Sequence, residues 1–155
     1  MKKIILFYFL LITVVFTSCQ KPDILDKQID INPEGWDFNE NFQFQFIIED
    51  TSAFYDVIFT IRNTSEYKFS NIWVMIDKYS PQNIQSKKRY EYTLATPDGR
   101  WLGNGLGDLI DHKFIVDKNV KFQQKGKYKY IVNHEMRIDK LQNIQTIGLN
   151  VKKRN

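Results

Sequence analysis

The chain has 155 residues, 43% hydrophobic and 15% aromatic, with a formal net charge of +4 and one cysteine. That length supports one domain with a sizeable core, a lone cysteine excludes a disulfide framework, and so small a charge argues against a nucleic-acid partner. No internal repeat is present, which sets aside solenoids and propellers.

In chain order, Met1-Lys2-Lys3 precedes an apolar run from Ile4 to Phe16, followed by Thr17-Ser18-Cys19. A basic start, a short apolar stretch and a small residue before the cut form a secretory leader; a spanning helix needs about 20 apolar residues. A small residue followed by Cys is the pattern of a lipoprotein signal, in which the thiol accepts a diacylglyceryl group before cleavage exposes it. Residues 1–18 are therefore expected to be the signal peptide, Cys19 the lipidated residue and 19–33 a tether. Residues 34–155 are expected to form the folded domain. Stable attachment takes two acyl chains, each buried methylene contributing about 0.8 kcal/mol. Lys2 and Lys3 leave with the leader, taking the formal charge to +2.

Alternation governs the rest. Phe42-Gln43-Phe44-Gln45-Phe46 places three aromatics on one face and amides on the other, as a half-buried strand does. Tyr55 to Arg62 repeats the pattern with Val57, Phe59 and Ile61 inward, and Asn63-Thr64-Ser65 turns the chain. Ile72 to Ile76 is apolar on both faces, as a central strand would be. Further strands are predicted at Arg89–Ala95, Lys113–Val116, Lys127–Val132 and Ile144–Val151. Branched and aromatic side chains suit a pleated surface. The fold class is all-β: a single antiparallel β-sandwich, a jelly roll being one form of it, with at most one short helical turn, at Met136–Leu141.

Trp101-Leu102-Gly103-Asn104-Gly105-Leu106-Gly107-Asp108 concentrates three of the seven glycines. It has neither the Lys-Ser/Thr of a P-loop nor a following helix, so phosphate cradling fails. Two readings remain, a surface loop whose glycines permit positive φ or close packing, and a partner-binding loop anchored by Trp101. Asp108, Asp111 and His112 could ligate a metal or move protons, but a three-residue offset sends the carboxylates to opposite faces of a strand. The other histidine, His134, stands in His134-Glu135-Met136-Arg137 without the second histidine of a zincin helix. No Gly-x-Ser-x-Gly elbow exists and no carboxylate pair is singled out for glycoside hydrolysis. Neither an enzyme nor a cofactor is expected. Trp36 and Trp101 would suit a sugar-binding platform, with Trp73 assigned to the core. Lys152-Lys153-Arg154 reads as a solvated tail.

Several stretches together resemble a family. They are Arg62-Asn63 with Tyr67 and Asn71-Ile72-Trp73, Leu94-Ala95 with Asp98 to Asp108, His134-Glu135-Met136-Arg137 with Leu141, and Ile144 to Leu149. In this order behind a lipoprotein signal, the chain resembles the gliding motility lipoprotein GldH family of Bacteroidota. The resemblance implies an envelope component of the gliding machinery, linked to type IX secretion and without known enzymatic activity, cofactor or catalytic residues. Its implied partners are the membrane, through acylated Cys19, and other motility or secretion proteins. The outer membrane or periplasmic face is expected over the inner membrane. The alternative is a surface glycan-binding lipoprotein.

Overall fold

A computed structural model describes residues 23–154, so Cys19 and the leader lie outside the described residues. The elements are β1 (Leu25–Asp30), β2 (Trp36–Asp37), β3 (Phe42–Ile48), β4 (Tyr55–Thr64), β5 (Asn71–Tyr79), β6 (Gln85–Thr93), β7 (Asn104–Leu106), β8 (Leu109–Val120), β9 (Gly126–His134), β10 (Lys140–Leu141) and β11 (Ile144–Lys153). They form a five-stranded sheet in the order β1-β11-β4-β8-β7, a four-stranded sheet in the order β3-β9-β5-β6, and the short pair β10-β2. Every named strand pair is antiparallel. The all-β sandwich is thus the observed fold.

The inward positions follow the alternation. Phe44, Phe46 and Ile48 of β3, Val57, Phe59 and Ile61 of β4, and Ile72, Val74 and Ile76 of β5 are all buried. Each such side chain contributes about 1.5–3 kcal/mol relative to its exposed state. β5 lies between β9 and β6, which agrees with its two apolar faces. The edge strand β6 carries Lys87, Lys88 and Arg89 on exposed positions, charges that discourage pairing with another chain.

Three local expectations change. Leu25–Asp30, within the stretch read as tether, is β1, and it pairs with β11 along its whole length, Leu25 opposite Val151 and Asp30 opposite Thr146. Leu25 and Ile29 are half-buried on one face; an edge strand with so few apolar positions gives little alternation to detect. Lys113–Val116 is the middle of the longer β8, which also takes in Asp111 and His112. Finally, no helical turn forms at Met136–Leu141: residues 137–139 are bends and Lys140–Leu141 is β10. Leu141, fully buried, is drawn to Trp36 by strand pairing.

The sandwich has two ends. One gathers the start of β1, the end of β11, the start of β4 and the β8–β9 connection, since Tyr55 faces both Lys153 and Val120. This is the end at which the described chain begins, with Asp23 and Ile24 ahead of β1. At the opposite end Thr64 faces Leu109 and Asn63 faces Ile144 and Ile110. The ten residues of β4 separate the two by roughly 33 Å, at about 3.3 Å per residue.

Candidate functional site

The glycine-rich segment lies at the end far from the start of β1. Thr96 to Arg100 close a turn, with Thr96 N–H donating to the Arg100 carbonyl at 2.9 Å and Gly99 N–H to the Thr96 carbonyl at 2.9 Å. Gly99 adopts φ +87°, a conformation that favours glycine. The turn sets Ala95 opposite Trp101, and Leu102 N–H then donates to the Leu94 carbonyl. A Cβ on Gly103 would overlap the Asp111 carbonyl oxygen and come within 2.7 Å of Ile110 Cγ2 and 2.9 Å of His112 Cε1. Gly107 turns the chain at φ +67°. The segment read as a loop is in part an edge strand, since Asn104–Leu106 is β7 paired with β8, and both uses of glycine expected from the sequence, close packing and positive φ, occur in it.

Trp101 is half-buried against the core, its ring 6.4 Å from His112. Leu102, at 54% exposure, is an apolar side chain that this segment offers to solvent; Asn104, Gly105, Gly107 and Asp108 are also exposed.

The acidic and imidazole groups separate. Both Asp111 carboxylate oxygens accept from Arg62, at 2.7 and 3.0 Å, and this pairing holds the Asp111 carboxyl below its ordinary range. His112, the next residue along the strand, points inward, is buried and stacks on Phe114 at 5.9 Å. Its Nε2 has no partner, and burial holds its pKa below the ordinary 6.5. Asp108 is exposed in the turn, its carbonyl accepting from Ser65 N–H. His134, fully buried, places Nε2 3.0 Å from the Trp36 carbonyl oxygen and is likewise depressed by burial. Among the described residues no three His, Cys, Asp or Glu side chains converge as metal ligands would.

A surface concavity at this same end was not foreseen. Phe69, Asn71, Trp73, Arg89, Met136 and Ile138 are among the residues lining a cavity of about 370 Å³, and a second of about 280 Å³ adjoins it, sharing Phe69 and Ile138. The chain leaving β9 runs alongside β5: Glu135 N–H donates to the Trp73 carbonyl at 2.8 Å, and Met136 Sδ accepts from Trp73 N–H at 3.3 Å. The Arg89 guanidinium stacks 4.2 Å over the Trp73 ring and lies 4.0 Å from the Glu135 carboxylate. Trp73 is therefore half-buried floor rather than core. With Phe38, Phe69, Leu102 and Ile138 all exposed, this end combines apolar side chains with fixed charges, the composition of a protein-contact surface. The sequence signal for it was Met136-Arg137 inside a resembling stretch, without a role attached.

The sequence model of a family described as GldH lipoprotein matches residues 23–151. The chain belongs to that family. It is 32% identical over 154 residues to the gliding motility lipoprotein GldH homolog of Christiangramia forsetii, covering 95% of this chain and 94% of that protein. It is 25% identical over 152 residues to the gliding motility lipoprotein GldH of Flavobacterium johnsoniae, covering 94% of each. Among solved structures, that of tomato aspermy virus covers 99% of this chain and 94% of its own, at 14% identity and a TM-score of 0.36, too distant to carry an argument. Membership in a lipoprotein family, with no helix among the described residues long and apolar enough to cross a membrane, fits a lipid-anchored envelope protein.

Proposed function

We propose that the chain acts without catalysis, as a docking component of the gliding machinery and its type IX secretion partners. It is held through acylated Cys19 at the outer membrane or its periplasmic face, and binds partner proteins with the end far from the anchor. The observation that carries this is the placement of the contact surface: the Trp101–Asp108 loop and the Trp73–Arg89 cavity share the end opposite the start of β1, some ten residues of β4 away. A tethered domain offers its far end to partners most freely. Leu102 and Ile138 are the side chains to test, since both are exposed and change nothing in the core. Leu102→Glu with Ile138→Glu should abolish spreading on agar and crosslinking to envelope proteins while thermal unfolding stays unchanged. Normal spreading by that folded variant would overturn the docking reading. Against the glycan reading, Trp36 is fully buried and Trp101 is half-buried against the core.

A further inference from the structure

The end at which the described chain begins has a charge pattern of its own. Its acids are mostly neutralised locally: Asp23 by Lys152 at 3.6 Å, Asp50 by Lys153 at 2.7 Å, Asp56 by Arg154 at 3.5 Å and Asp117 by Lys78 at 2.6 Å. Four exposed lysines, Lys118, Lys121, Lys125 and Lys127, have no ion-pair partner among the described residues. Glu49 and Asp26, both exposed, have no cation partner among the described residues. All four lysines belong to the β8–β9 connection or its flanks, which is rigidly held: Phe122 is buried against Tyr55 and Tyr128, and the Tyr128 hydroxyl donates to the Gln124 carbonyl at 3.0 Å.

Exposed apolar side chains stand among them. Phe54 is 41% exposed with Lys121 Nζ 4.7 Å above its ring, Ile84 is 64% exposed in the β5–β6 turn, and Ile24 is 37% exposed beside the start of β1. Lys118 and Arg154 line a cleft of about 590 Å³ with Phe54. Cations interleaved with aromatic and aliphatic groups suit a bilayer surface, where the apolar groups enter the headgroup boundary and the ammonium groups meet phosphate.

Chain length gives an independent constraint. Asp23 is clamped to the sheet by Asn150 Nδ2 at 2.6 Å, and Ile24 N–H donates to the Val151 carbonyl. Four residue steps separate Cys19 from Asp23, a reach of at most about 14 Å at 3.3–3.6 Å per residue. An acylated Cys19 would thus keep this end within that distance of the headgroups. The tether alone would let the sandwich lie on its side; the lysines favour standing on end.

We propose that this basic, apolar-studded end seats directly on the anionic headgroups of the membrane that holds the acyl anchor, setting the sandwich upright. The inference rests on the reading of Cys19 as lipidated, and the experiment separates the two. The acylated thiol is blocked, so a cysteine introduced by Gln123→Cys at this end, or by Asp98→Cys at the far end, takes a fluorescent label alone. The purified full-length mature protein is reconstituted into vesicles of brominated phosphatidylcholine with or without phosphatidylglycerol. The label at residue 123 should be quenched several-fold more than that at residue 98, and only where phosphatidylglycerol is present. Lys118→Glu, Lys121→Glu and Lys125→Glu together should remove the difference, while thermal unfolding shows the fold intact. Equal quenching at both positions, or indifference to the lysines, overturns the proposal. If mass spectrometry finds no acyl group on the Cys19 peptide, the anchor reading fails. The surface then stands if the unacylated protein floats with anionic but not neutral vesicles, and falls if it floats with neither. The triple variant should weaken that flotation by on the order of a hundredfold, from roughly fivefold per lysine near an anionic surface.

Discussion

Both ends of the sandwich rest on buried aromatics, Trp36 at one and Tyr55, Phe122 and Tyr128 at the other, and they differ in what surrounds that packing. Far from the start of β1, burial continues around it: Trp36 and Leu141 are fully buried, His134 lies edge-on to Trp36 at 5.3 Å, and His112 packs between Trp101 and Phe114. At the other end the strand termini are tied by ion pairs between partly exposed side chains, Lys152 with Asp23, Lys153 with Asp50 and Arg154 with Asp56. Burial gives geometry that holds a precise contact surface, whereas exposed pairs contribute little stability and mainly arrange charge. On the two proposals above, one end would meet a defined partner and the other a surface without fixed geometry.

The difference can be tested by substitution, the largest effect first. Trp36→Ala should cost about 3–5 kcal/mol, as for other buried aromatics cut to alanine, measured by urea unfolding; a loss below about 1 kcal/mol would mean burial does not hold this end. Gly103→Ala should cost about 1–3 kcal/mol through overpacking against the Asp111 backbone and Ile110, read from the same denaturation curves.

Acid should act on the buried histidines of the far end and on the paired Asp50 of the other in separate pH windows. His112 and His134 are depressed by burial, so the unfolded chain binds protons that the folded one refuses. Their contribution is complete above about pH 6.5 and falls as pH drops toward their folded pKa values. Asp50 is depressed chiefly by its hydrogen bond from Lys153. Its contribution is present above the ordinary carboxylate range and fades only as pH falls through that range and below. Thermal unfolding should therefore lose midpoint temperature between pH 7 and 5, and His112→Gln should flatten that slope while Asp50→Asn leaves it unchanged. The smallest effect is expected from Lys153→Ala, which should lower the denaturation midpoint at pH 7 only slightly, since both partners are solvated and screened by salt.

Strand content was legible wherever one face was apolar. Val57, Phe59 and Ile61 point inward as their spacing requires, because a period of two leaves a half-buried strand little choice. β1 was hidden because its partner β11 lies some 120 positions later and its own residues bury little. The strand predicted at Lys113–Val116 stops short of Asp111 and His112 because glycines and carboxylates precede it; only pairing with Arg62 and Ile61 across β4 shows that the strand takes them in. The glycine loop's constraints could be anticipated from composition, but Trp101's half-burial could not. The Trp73–Arg89 cavity draws on β5, β6 and the chain after β9, an adjacency set by sheet order and invisible to local pattern.

The pairing of β1 with β11 has a mechanical consequence. The chain enters β1 at the end proposed above to face the membrane, and among the described residues β11 is the one strand that hydrogen-bonds to β1. A pull between the lipid anchor and a partner gripping the far end would run along the strand axis. It would shear all the rungs from Leu25–Val151 to Asp30–Thr146 at once, instead of peeling them singly. Loads shared across parallel bonds yield far more slowly than loads met one bond at a time. With the anchor and partner as proposed, the inconspicuous strand would serve as a strain-bearing clasp, placed where traction would otherwise unravel the domain.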